Sequence, residues 1–432
     1  MKQSEQQDSQ RRPIDPGPDG LLASMPLGDL EARGMIEGII VEKELAELVQ
    51  GRRRLTVYQG FDPTGPKLHI GHLVALRILR WFQLQGHRVI FLVGDFTGRI
   101  GDPTDKAATR KTLSEDQVLE NARTYQEQAG LVLDFAGENP AELRFNSEWL
   151  DAMTFRELAE VASHLTVQQL IERDMFQERL KKQRPIALHE FLYPMMQGYD
   201  SVAMEADVEV GGRDQLFNMM TGRDLVRHLQ ERSKHVITTP LLPGLNDDKM
   251  GKTEGNTVDL TEKPAAMFHQ LTQIKDSLLP QFLSILTDAS EDEIAAVKAR
   301  LEAGESNLMD ARERFAGRLV GRLHGDAAAS DALQEFRRVV VEQQLPSDIE
   351  VVELDSQKIP PEGIDLISLL TEAGRASSRS DARRLVKQNA VRLNDERKAD
   401  PRELIPGDAL RDALLQVGKQ SVVRLGLRDG SD

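Results

Sequence analysis

The stretch that most constrains the fold of this chain spans residues 58–72 and reads YQGFDPTGPKLHIGH. Strand-forming residues lead into it, glycine and proline mark a turn, and apolar residues recur at helical spacing from Ile70 onward. A helix start of this kind favours an anion, because unpaired backbone N–H groups and the helix dipole attract negative charge. Two histidines, His69 and His72, flank Gly71, where the missing side chain leaves room for a nucleotide triphosphate. The same pair also occurs on ordinary protein surfaces.

The overall composition excludes several classes of protein. With 432 residues the chain has room for roughly two to four domains. Its net charge of −15 argues against a general polyanion binder, so any RNA contact needs a local basic surface. Without cysteine there are no disulfides, no thiol nucleophile and no cysteine-based zinc site, and we expect no protein-bound zinc. No apolar run approaches the roughly 18 residues of a membrane helix, so we expect a cytoplasmic protein without a membrane partner.

Strands and helices alternate along the first half of the chain. The apolar run Arg88–Val93 is typical of a buried parallel strand, and Glu142–Phe145 is a second candidate. Capping boxes at Ser114, Thr154 and Thr166 each predict the start of a helix. This pattern predicts an α/β fold with a Rossmann-like, doubly wound parallel sheet.

A polar loop follows the strand Arg88–Val93 directly and contains Thr97 and Asp102. Loops at the carboxyl ends of parallel strands are where open α/β sheets bind ligands. Asp102 is therefore well placed to meet a cationic group, although Asp102 followed by Pro103 is also a common turn opening.

Three polar residues share one face of a predicted helix that is otherwise rich in methionine and leucine. Tyr193, Gln197 and Asp200 are spaced four and three residues apart. Buried polar groups need partners, so this face is either a ligand site or a closed structural network. Downstream, Gly211 and Gly212 precede Asp214 and Gln215, and such a glycine pair allows a ligand to approach the backbone closely. Asp214 can accept hydrogen bonds from ribose hydroxyls, and Gln215 can reach a carboxylate or an α-phosphate.

Two motifs together resemble class I aminoacyl-tRNA synthetases, most closely in their tyrosyl form. The first is YQGFDPT at 58–64 followed by HIGH at 69–72, and the second is KMGKT at 249–253, which is similar to Lys-Met-Ser-Lys-Ser. Two lysines three residues apart on a glycine-containing loop suit a transferring phosphate, although such a pair alone is more often a solvated loop. The resemblance covers nearly all of the chain after its first 34 residues.

The resemblance implies a two-step ligase that forms tyrosyl-adenylate from tyrosine and ATP and then transfers the tyrosyl group to the terminal ribose of tRNA(Tyr). It implies catalytic roles for Thr64, His69, His72, Lys106, Arg110, Lys249, Lys252 and Thr253. It implies tyrosine binding by Tyr58, Thr97, Asp102, Tyr193, Gln197, Asp200 and Gln215. It implies ATP binding by Gly60, Asp62, His69, Gly71, His72, Gly212, Asp214 and Lys252. Magnesium is expected to enter with ATP rather than in a protein cage.

The amino acid that such a pocket selects depends on Tyr58 and Asp200, which the resemblance places at the phenolic end of the substrate. Phenylalanine would leave these buried polar groups unpaired; this enzyme family is the standard example of that effect. One departure from the family pattern is Arg213, where serine or threonine is usual. A bulky cation beside the ribose site either alters nucleotide affinity or points outward.

The last part of the chain resembles the RNA-binding module named after a small-subunit ribosomal protein. Between residues 375 and 402 there are nine lysines and arginines against four acidic residues, a local charge of +5. Such an excess supplies phosphate contacts, although it can also be an ordinary charged helix face. The candidate RNA-binding residues are Arg379, Arg383, Arg384 and Lys387.

The expected organisation has five parts. We expect a mostly disordered leader at 1–34, a catalytic domain with a dimer-forming insertion at 35–245, and the lysine loop with a helical anticodon-side domain at 246–344. A linker at 345–362 and a small α+β RNA-binding domain at 363–432 follow. A homodimer is implied by the resemblance alone.

Three other functions remain open from the sequence. A tryptophanyl-tRNA synthetase shares the fold but would lack the Tyr58 and Asp200 pair. A generic nucleotidyltransferase would lack the lysine motif and the RNA module. An inactive RNA-binding paralogue is the third, and only Arg213 and the altered lysine motif favour it.

Overall fold

The computed structural model describes residues 19–102, 114–250, 256–342, 344, 349–418 and 421–428. The chain forms two compact units, Met1–Ser330 and Asp331–Asp432. Among the described residues, no helix is both long and apolar enough to cross a membrane.

A six-stranded sheet forms the centre of the first unit. Its strands are β1 (Gly38–Ile40), β2 (Thr56–Phe61), β3 (Arg88–Val93), β4 (Glu142–Phe145), β5 (Val208–Gly212) and β6 (His235–Thr239), in the spatial order β1-β6-β5-β2-β3-β4. All neighbours are parallel except β1, which is antiparallel to β6. The strand order reverses between β2 and β5, and ligands bind at such a point in this class of fold. This arrangement confirms the predicted Rossmann-like sheet.

Eighteen α-helices lie within residues 20–336 of the described chain. They are α1 (Gly20–Ser24), α2 (Leu27–Ala32), α3 (Glu42–Gln50), α4 (Ile70–Leu84), α5 (Thr97–Ile100), α6 (Glu115–Ala122), α7 (Tyr125–Ala129), α8 (Ser147–Leu150), α9 (Phe155–Ala162), α10 (Val167–Ile171), α11 (Asp174–Lys181), α12 (Leu188–Ala203), α13 (Leu216–Gln230), α14 (Pro264–Leu271), α15 (Leu279–Leu286), α16 (Glu291–Glu302), α17 (Met309–His324) and α18 (Asp326–Phe336). The predicted capping boxes at Ser114, Thr154 and Thr166 are present at the starts of α6, α9 and α10.

The second unit has an α+β fold. Its strands are β7 (Glu350–Asp355), β8 (Ile364–Asp365), β9 (Val391–Leu393), β10 (Glu396–Arg397), β11 (Leu404–Ile405), β12 (Leu414–Val417) and β13 (Ser421–Arg428), and its further helices are α19 (Leu366–Glu372) and α20 (Arg379–Lys387). Five strands form a sheet in the order β10-β9-β12-β13-β7, and β11 pairs with β8. Both helices bury apolar residues in the core of this unit, Leu369 from α19 and Val386 from α20.

Three of the predicted segment assignments are wrong in part. Residues 19–34, predicted as part of a disordered leader, form α1 and α2, where Leu22 and Leu30 are fully buried. The apolar spacing of residues 35–50 predicts one helix, but the helix α3 begins only at Glu42, because residues 38–40 pair with β6 as strand β1. Within the predicted linker at 345–362, β7 pairs in parallel with β13. Residues 1–18 lie outside the described part of the chain.

A buried arginine connects the helix after β2 to the helical region beyond the sheet. Arg77 on α4 is completely buried, and its guanidinium lies 2.6 Å from Asp288. It also donates to the backbone carbonyls of Leu286 and Thr287, each at 3.3 Å. A buried charge is tolerated only when it is paired and hydrogen-bonded, so these contacts fix α4 against the end of α15.

We predict that Asp288→Ala lowers the free energy of unfolding by about 3 kcal/mol, because it leaves the Arg77 cation buried without a carboxylate. Urea denaturation followed by circular dichroism measures the change. Asp292→Ala is the matched control: Asp292 is exposed, and its loss should change stability by less than about 0.5 kcal/mol. Equal effects of the two substitutions would contradict the assigned role of Asp288.

Candidate active site

The two sequence motifs lie next to each other in space. The segment just before α4 pairs with the chain beyond the lysine motif, since the Ile70 N–H donates to the Val258 carbonyl and the Leu260 N–H donates to the Leu68 carbonyl, both at 2.9 Å. A Cβ atom added to Gly71 would lie 3.0 Å from the sulfur of Met250. Met250, in the described part of the lysine motif, therefore approaches the helix start at the point where Gly71 has no side chain.

The start of α4 is organised by the two histidines. His69 is the N-cap residue, and its Nδ1 accepts from the Gly71 N–H at 3.2 Å. The Nδ1 of His72 accepts from the His69 N–H at 3.0 Å, and the two ring centroids are 4.0 Å apart. Near this helix start, the side chains of Thr64 and Lys249 are exposed. The positive end of α4 thus faces a region where phosphate groups and a lysine can meet.

A partly buried carboxylate, Asp62, follows β2 and connects three elements. Its Oδ1 accepts from the Thr97 hydroxyl at 2.7 Å, and its Oδ2 accepts from the Tyr193 hydroxyl at 2.8 Å. Gly94 makes this approach possible, because a Cβ there would lie 2.0 Å from Asp62 Oδ1. Burial raises the pKa of Asp62 to about 7, although the bonds from Thr97 and Tyr193 oppose the shift.

Asp200 on α12 is buried and accepts hydrogen bonds from two residues that the sequence analysis did not identify. Trp149 Nε1 donates to Oδ1 at 2.8 Å, and Asn146 Nδ2 contacts Oδ2 at 3.4 Å. Burial raises the pKa of Asp200 well above its usual range, against the effect of these bonds. Asn146 directly follows β4, a strand that the sequence predicted with the correct end. Its position after the carboxyl end of a parallel strand was the signal that could have identified it as a site residue.

Tyr58 on β2 lies in a second buried polar group. Its hydroxyl is 2.7 Å from the Ser201 hydroxyl, and Ser201 is in turn bonded to Lys234, which pairs with Glu209. Burial, followed by the carboxylates of Glu209 and Asp200, raises the pKa of Tyr58, so its hydroxyl stays protonated. Ser201 and Lys234 are not among the site residues predicted from the sequence.

Asp102 contacts two side chains from distant parts of the chain. Gln215 Nε2 donates to Asp102 Oδ2 at 2.8 Å, and the guanidinium of Arg173 lies 3.8 Å from Oδ1. Arg173 is nearly buried, with its guanidinium 4.9 Å from the ring centre of Phe217. Asp102 and Gln215, which were each predicted to bind tyrosine, are thus in contact, whereas Arg173 was not predicted.

The remaining site residues around β5 are also in the expected region. Asp214 follows β5, and its side chain accepts from Gln215 Nε2 at 3.1 Å. Gly212, the last residue of β5, keeps space for it, since a Cβ at Gly212 would lie 2.4 Å from Asp214 Oδ1. Arg213 points outward and pairs with Glu37 at the surface.

Of the remaining predicted site residues, two lie in the described part of the chain and four do not. Gly60 lies on β2, and Gln197 Nε2 donates to Glu209 Oε1 at 3.2 Å. Lys106, Arg110, Lys252 and Thr253 lie outside the described residues. Among the described residues, no group of three or more histidine, cysteine, aspartate or glutamate side chains could hold a metal ion.

The four candidate RNA-binding residues lie on α20 of the second unit, and all four are exposed. Arg379 contacts the Ser368 hydroxyl at 2.9 Å, and Arg384 pairs with Asp381 at 2.6 Å. Neither of the other two, Arg383 and Lys387, forms an ion pair among those found in the described residues. Exposed ion pairs of this kind are weak, so all four cations can meet phosphate groups.

Comparisons with known proteins agree on one family. The family model described as tRNA synthetases class I (W and Y) matches residues 50–340, and the one described as a tyrosine–tRNA ligase SYY-like C-terminal domain matches residues 342–422. The tyrosine–tRNA ligase of Thiobacillus denitrificans is 43% identical over 388 residues, covering 90% of this chain and 96% of the relative. That of Thermotoga maritima is 40% identical over 388 residues, covering 90% and 94%.

Solved structures agree with the fold. A truncated mitochondrial tyrosyl-tRNA synthetase from Coccidioides posadasii superimposes with a TM-score of 0.59 at 25% identity, covering 72% of this chain and 91% of that one. A Plasmodium falciparum tryptophanyl-tRNA synthetase has a TM-score of 0.54 at 11% identity, covering 75% and 90%. The fold is that of class I aminoacyl-tRNA synthetases. Within that class, the chain belongs to the family of tyrosyl- and tryptophanyl-tRNA synthetases.

We predict that Asp62→Asn changes the pH dependence of stability. The pKa of Asp62 rises from 3.8 to about 7 on folding, so between these values the folded protein binds more protons there than the unfolded chain. The wild type therefore loses stability at this position as the pH rises from 4 to 7. Relative to wild type, Asp62→Asn should gain stability over this range, by at most about 1.4 kcal/mol per pH unit. Urea unfolding at a series of pH values measures the difference, and a difference independent of pH would contradict the assignment.

Proposed function

We propose that the chain is a tyrosine–tRNA ligase that activates tyrosine with ATP and transfers the tyrosyl group to tRNA(Tyr). The observation that carries this proposal is a pair of buried groups that can bond to a hydroxyl, Tyr58 in the middle of β2 and Asp200 near the end of α12. Its relatives carry the same activity in their names. Because tRNA charging serves translation, we place the protein in the cytoplasm.

The phenolic end of tyrosine would meet Asp200 and Tyr58. Both side chains are buried, at 3% and 1% exposure, so each needs a polar partner. Tyrosine supplies a hydroxyl that can bond to both, whereas phenylalanine and tryptophan cannot satisfy both in the same way. A tryptophanyl-tRNA synthetase is therefore the less well supported alternative.

The α-ammonium group would be held at the other end of the pocket. Gln197 Oε1 is buried and accepts no hydrogen bond from any residue that the structure describes. An ammonium group would supply the missing donor. Asp102 adds a carboxylate, held by Gln215 at 2.8 Å, and Tyr193 adds its ring and hydroxyl. Thr97 supports the pocket through its bond to Asp62.

ATP would bind along the start of α4 and the end of β5. His69, Gly71 and His72 receive the phosphates and adenosine at the helix start, where the backbone dipole favours negative charge. Gly60, Asp62, Gly212 and Asp214 would line the ribose and adenine side. Magnesium would arrive bound to the phosphates, supplying charge neutralisation there.

The first chemical step needs no general base, because the tyrosine carboxylate is ionised at neutral pH. Its oxygen attacks the α-phosphorus of ATP, the bond to the β-phosphate breaks, and pyrophosphate leaves with the bonding electrons. Catalysis then depends on positioning and on cations where negative charge develops. We assign this role to Thr64, His69, Lys249 and Lys252, assisted by Lys106, Arg110 and Thr253.

In the second step, the acceptor end of the tRNA must reach the adenylate. We propose that α20 contributes phosphate contacts from Arg379, Arg383, Arg384 and Lys387, so that tRNA affinity falls with salt concentration. These contacts position the tRNA without reading its sequence.

We further propose a homodimer formed through the insertion between the two halves of the sheet. Val161 of α9 and Met195 of α12 belong to one buried hydrophobic cluster, together with Leu225 of α13. Both α9 and α12 also expose a large apolar side chain in the first turn, Phe155 at 85% and Leu188 at 78%. Exposed apolar residues of this size on neighbouring helices are typical of a protein interface.

Pyrophosphate exchange tests the function. We expect tyrosine to support ATP–pyrophosphate exchange, and phenylalanine and tryptophan to support little. Asp200→Asn should lower kcat/KM for tyrosine about hundredfold, with a much smaller effect on phenylalanine, because one buried partner of the phenol is lost. The exposed substitution Asp116→Asn should change neither value. Exchange with tryptophan would overturn the specificity, and no exchange with retained tRNA binding would favour the inactive paralogue.

Sedimentation velocity tests the dimer. We expect Leu188→Glu to shift the protein from dimer to monomer at micromolar concentration, because a charge would be buried in the interface. Leu404→Glu changes an exposed leucine in the second unit and should leave the dimer intact. A monomeric wild type, or dissociation by both substitutions, would contradict the proposed interface.

A further inference from the structure

A buried cation lies behind the pocket, on the far side of Tyr58. Lys234 precedes β6 and is completely buried. Its ammonium nitrogen is 2.7 Å from Ser201 Oγ and 3.1 Å from the Met219 carbonyl, and it forms a close ion pair with Glu209. An ammonium group has three N–H donors and no acceptor, and these three oxygens account for all of them. Lys234 therefore donates to Ser201.

The direction of this bond limits what the Ser201 hydroxyl can do. Ser201 Oγ accepts from Lys234, and it has one proton of its own to donate. Two oxygens are near it: Tyr58 at 2.7 Å and Glu209 at 3.4 Å. The shorter contact has the length of a normal O–H···O hydrogen bond and the longer one does not. The shorter distance favours donation from Ser201 to Tyr58 over donation to Glu209, and this direction leaves the proton of Tyr58 for another acceptor.

We propose that Lys234 and Ser201 orient the hydroxyl of Tyr58 so that it donates to the phenolic oxygen of the substrate tyrosine, which makes both of them positioning residues for amino-acid selection. This inference rests on the proposed tyrosine pocket. A phenol has one proton to give. With Tyr58 as donor, the substrate hydroxyl accepts from Tyr58 and donates to Asp200, so every bond has one donor and one acceptor. With Tyr58 turned to donate to Ser201, Tyr58 and Asp200 would compete for the single phenolic proton.

Glu209 has two functions in this arrangement. It pairs with the buried Lys234 cation, which would otherwise be strongly unfavourable. Its other oxygen, Oε1, accepts from Gln197 Nε2 at 3.2 Å. Because the amide nitrogen of Gln197 faces Glu209, the amide oxygen Gln197 Oε1 is left for a substrate cation. Gln197 Oε1 is buried and has no hydrogen-bond partner among the described residues. One ion pair thus sets the hydrogen-bond direction at both ends of the pocket.

The first test is Ser201→Ala, measured by pyrophosphate exchange with tyrosine and with phenylalanine. We expect kcat/KM for tyrosine to fall about tenfold, and kcat/KM for phenylalanine to change less than about twofold, because phenylalanine has no hydroxyl to orient. A general structural defect would lower both values together. Ser284→Ala is the matched control: it removes a partly buried serine hydroxyl that donates to the Arg33 carbonyl at 2.8 Å, and the ratio should not change.

A double-mutant cycle makes the test specific to Tyr58. Tyr58→Phe removes the hydroxyl that Ser201 orients, so it should lower the tyrosine-to-phenylalanine ratio by itself. In that background, Ser201→Ala should have no further effect on the ratio, because the two residues act through one bond. Independent, additive effects of the two substitutions would overturn the inference.

A second variant covers the case in which Ser201→Ala does not fold. Lys234→Met combined with Glu209→Gln removes both charges at similar volume, a change that buried ion pairs often tolerate. We expect the ratio to fall as in Ser201→Ala. If the wild type is tyrosine-selective and the ratio is unchanged in the variants, only the inference fails. If the wild type shows no tyrosine-dependent exchange, the proposed function fails and the inference fails with it.

Discussion

The constraint on which this site depends is the burial of polar groups between β2, β5 and α12. Each such group loses water on folding and must find a partner in the protein. Asp62, Asp200 and Tyr58 each lie within hydrogen-bonding distance of a side chain from another element, at 2.7 to 2.8 Å. The sheet order brings these elements together, and hydrogen bonds then determine which atoms point at the space between them. The fold therefore determines where these side chains lie, and the polar network determines the directions of their hydrogen bonds.

Much of this architecture follows from local sequence. The strand Arg88–Val93 has the predicted bounds and α4 begins at Ile70 as predicted, because each follows from an apolar pattern within its own segment. The HIGH motif and the start of the lysine motif lie side by side, in agreement with the shared nucleotide that the resemblance implies for them. Asp102 and Gln215 are in contact because each follows a strand of one parallel sheet, and parallel strands end at a common edge.

The parts that sequence did not predict depend on contacts between distant residues. Trp149, Lys234 and Arg173 are single side chains without a motif, and their roles arise only when packing places them beside Asp200, Ser201 and Asp102. β7 was predicted as linker because prolines follow it and its helical period is lost. Its partner β13 begins more than sixty residues later, so the pairing has no local signal. Helices α1 and α2 were missed because a polar, proline-rich segment precedes them.

The same fold serves enzymes for tyrosine and for tryptophan, so the sheet and helices alone do not determine the amino acid that is selected. A single buried hydrogen bond contributes only about 1 kcal/mol. Strong discrimination instead requires that the wrong substrate leave several buried groups unpaired at once. A donor at Tyr58 and an acceptor at Asp200 meet that condition only if their hydrogen-bond directions are fixed before the substrate arrives. The buried ion pair of Lys234 and Glu209 is well suited to hold these directions fixed, because all three N–H donors of Lys234 already have acceptors. Reversing one of these hydrogen bonds would break the others.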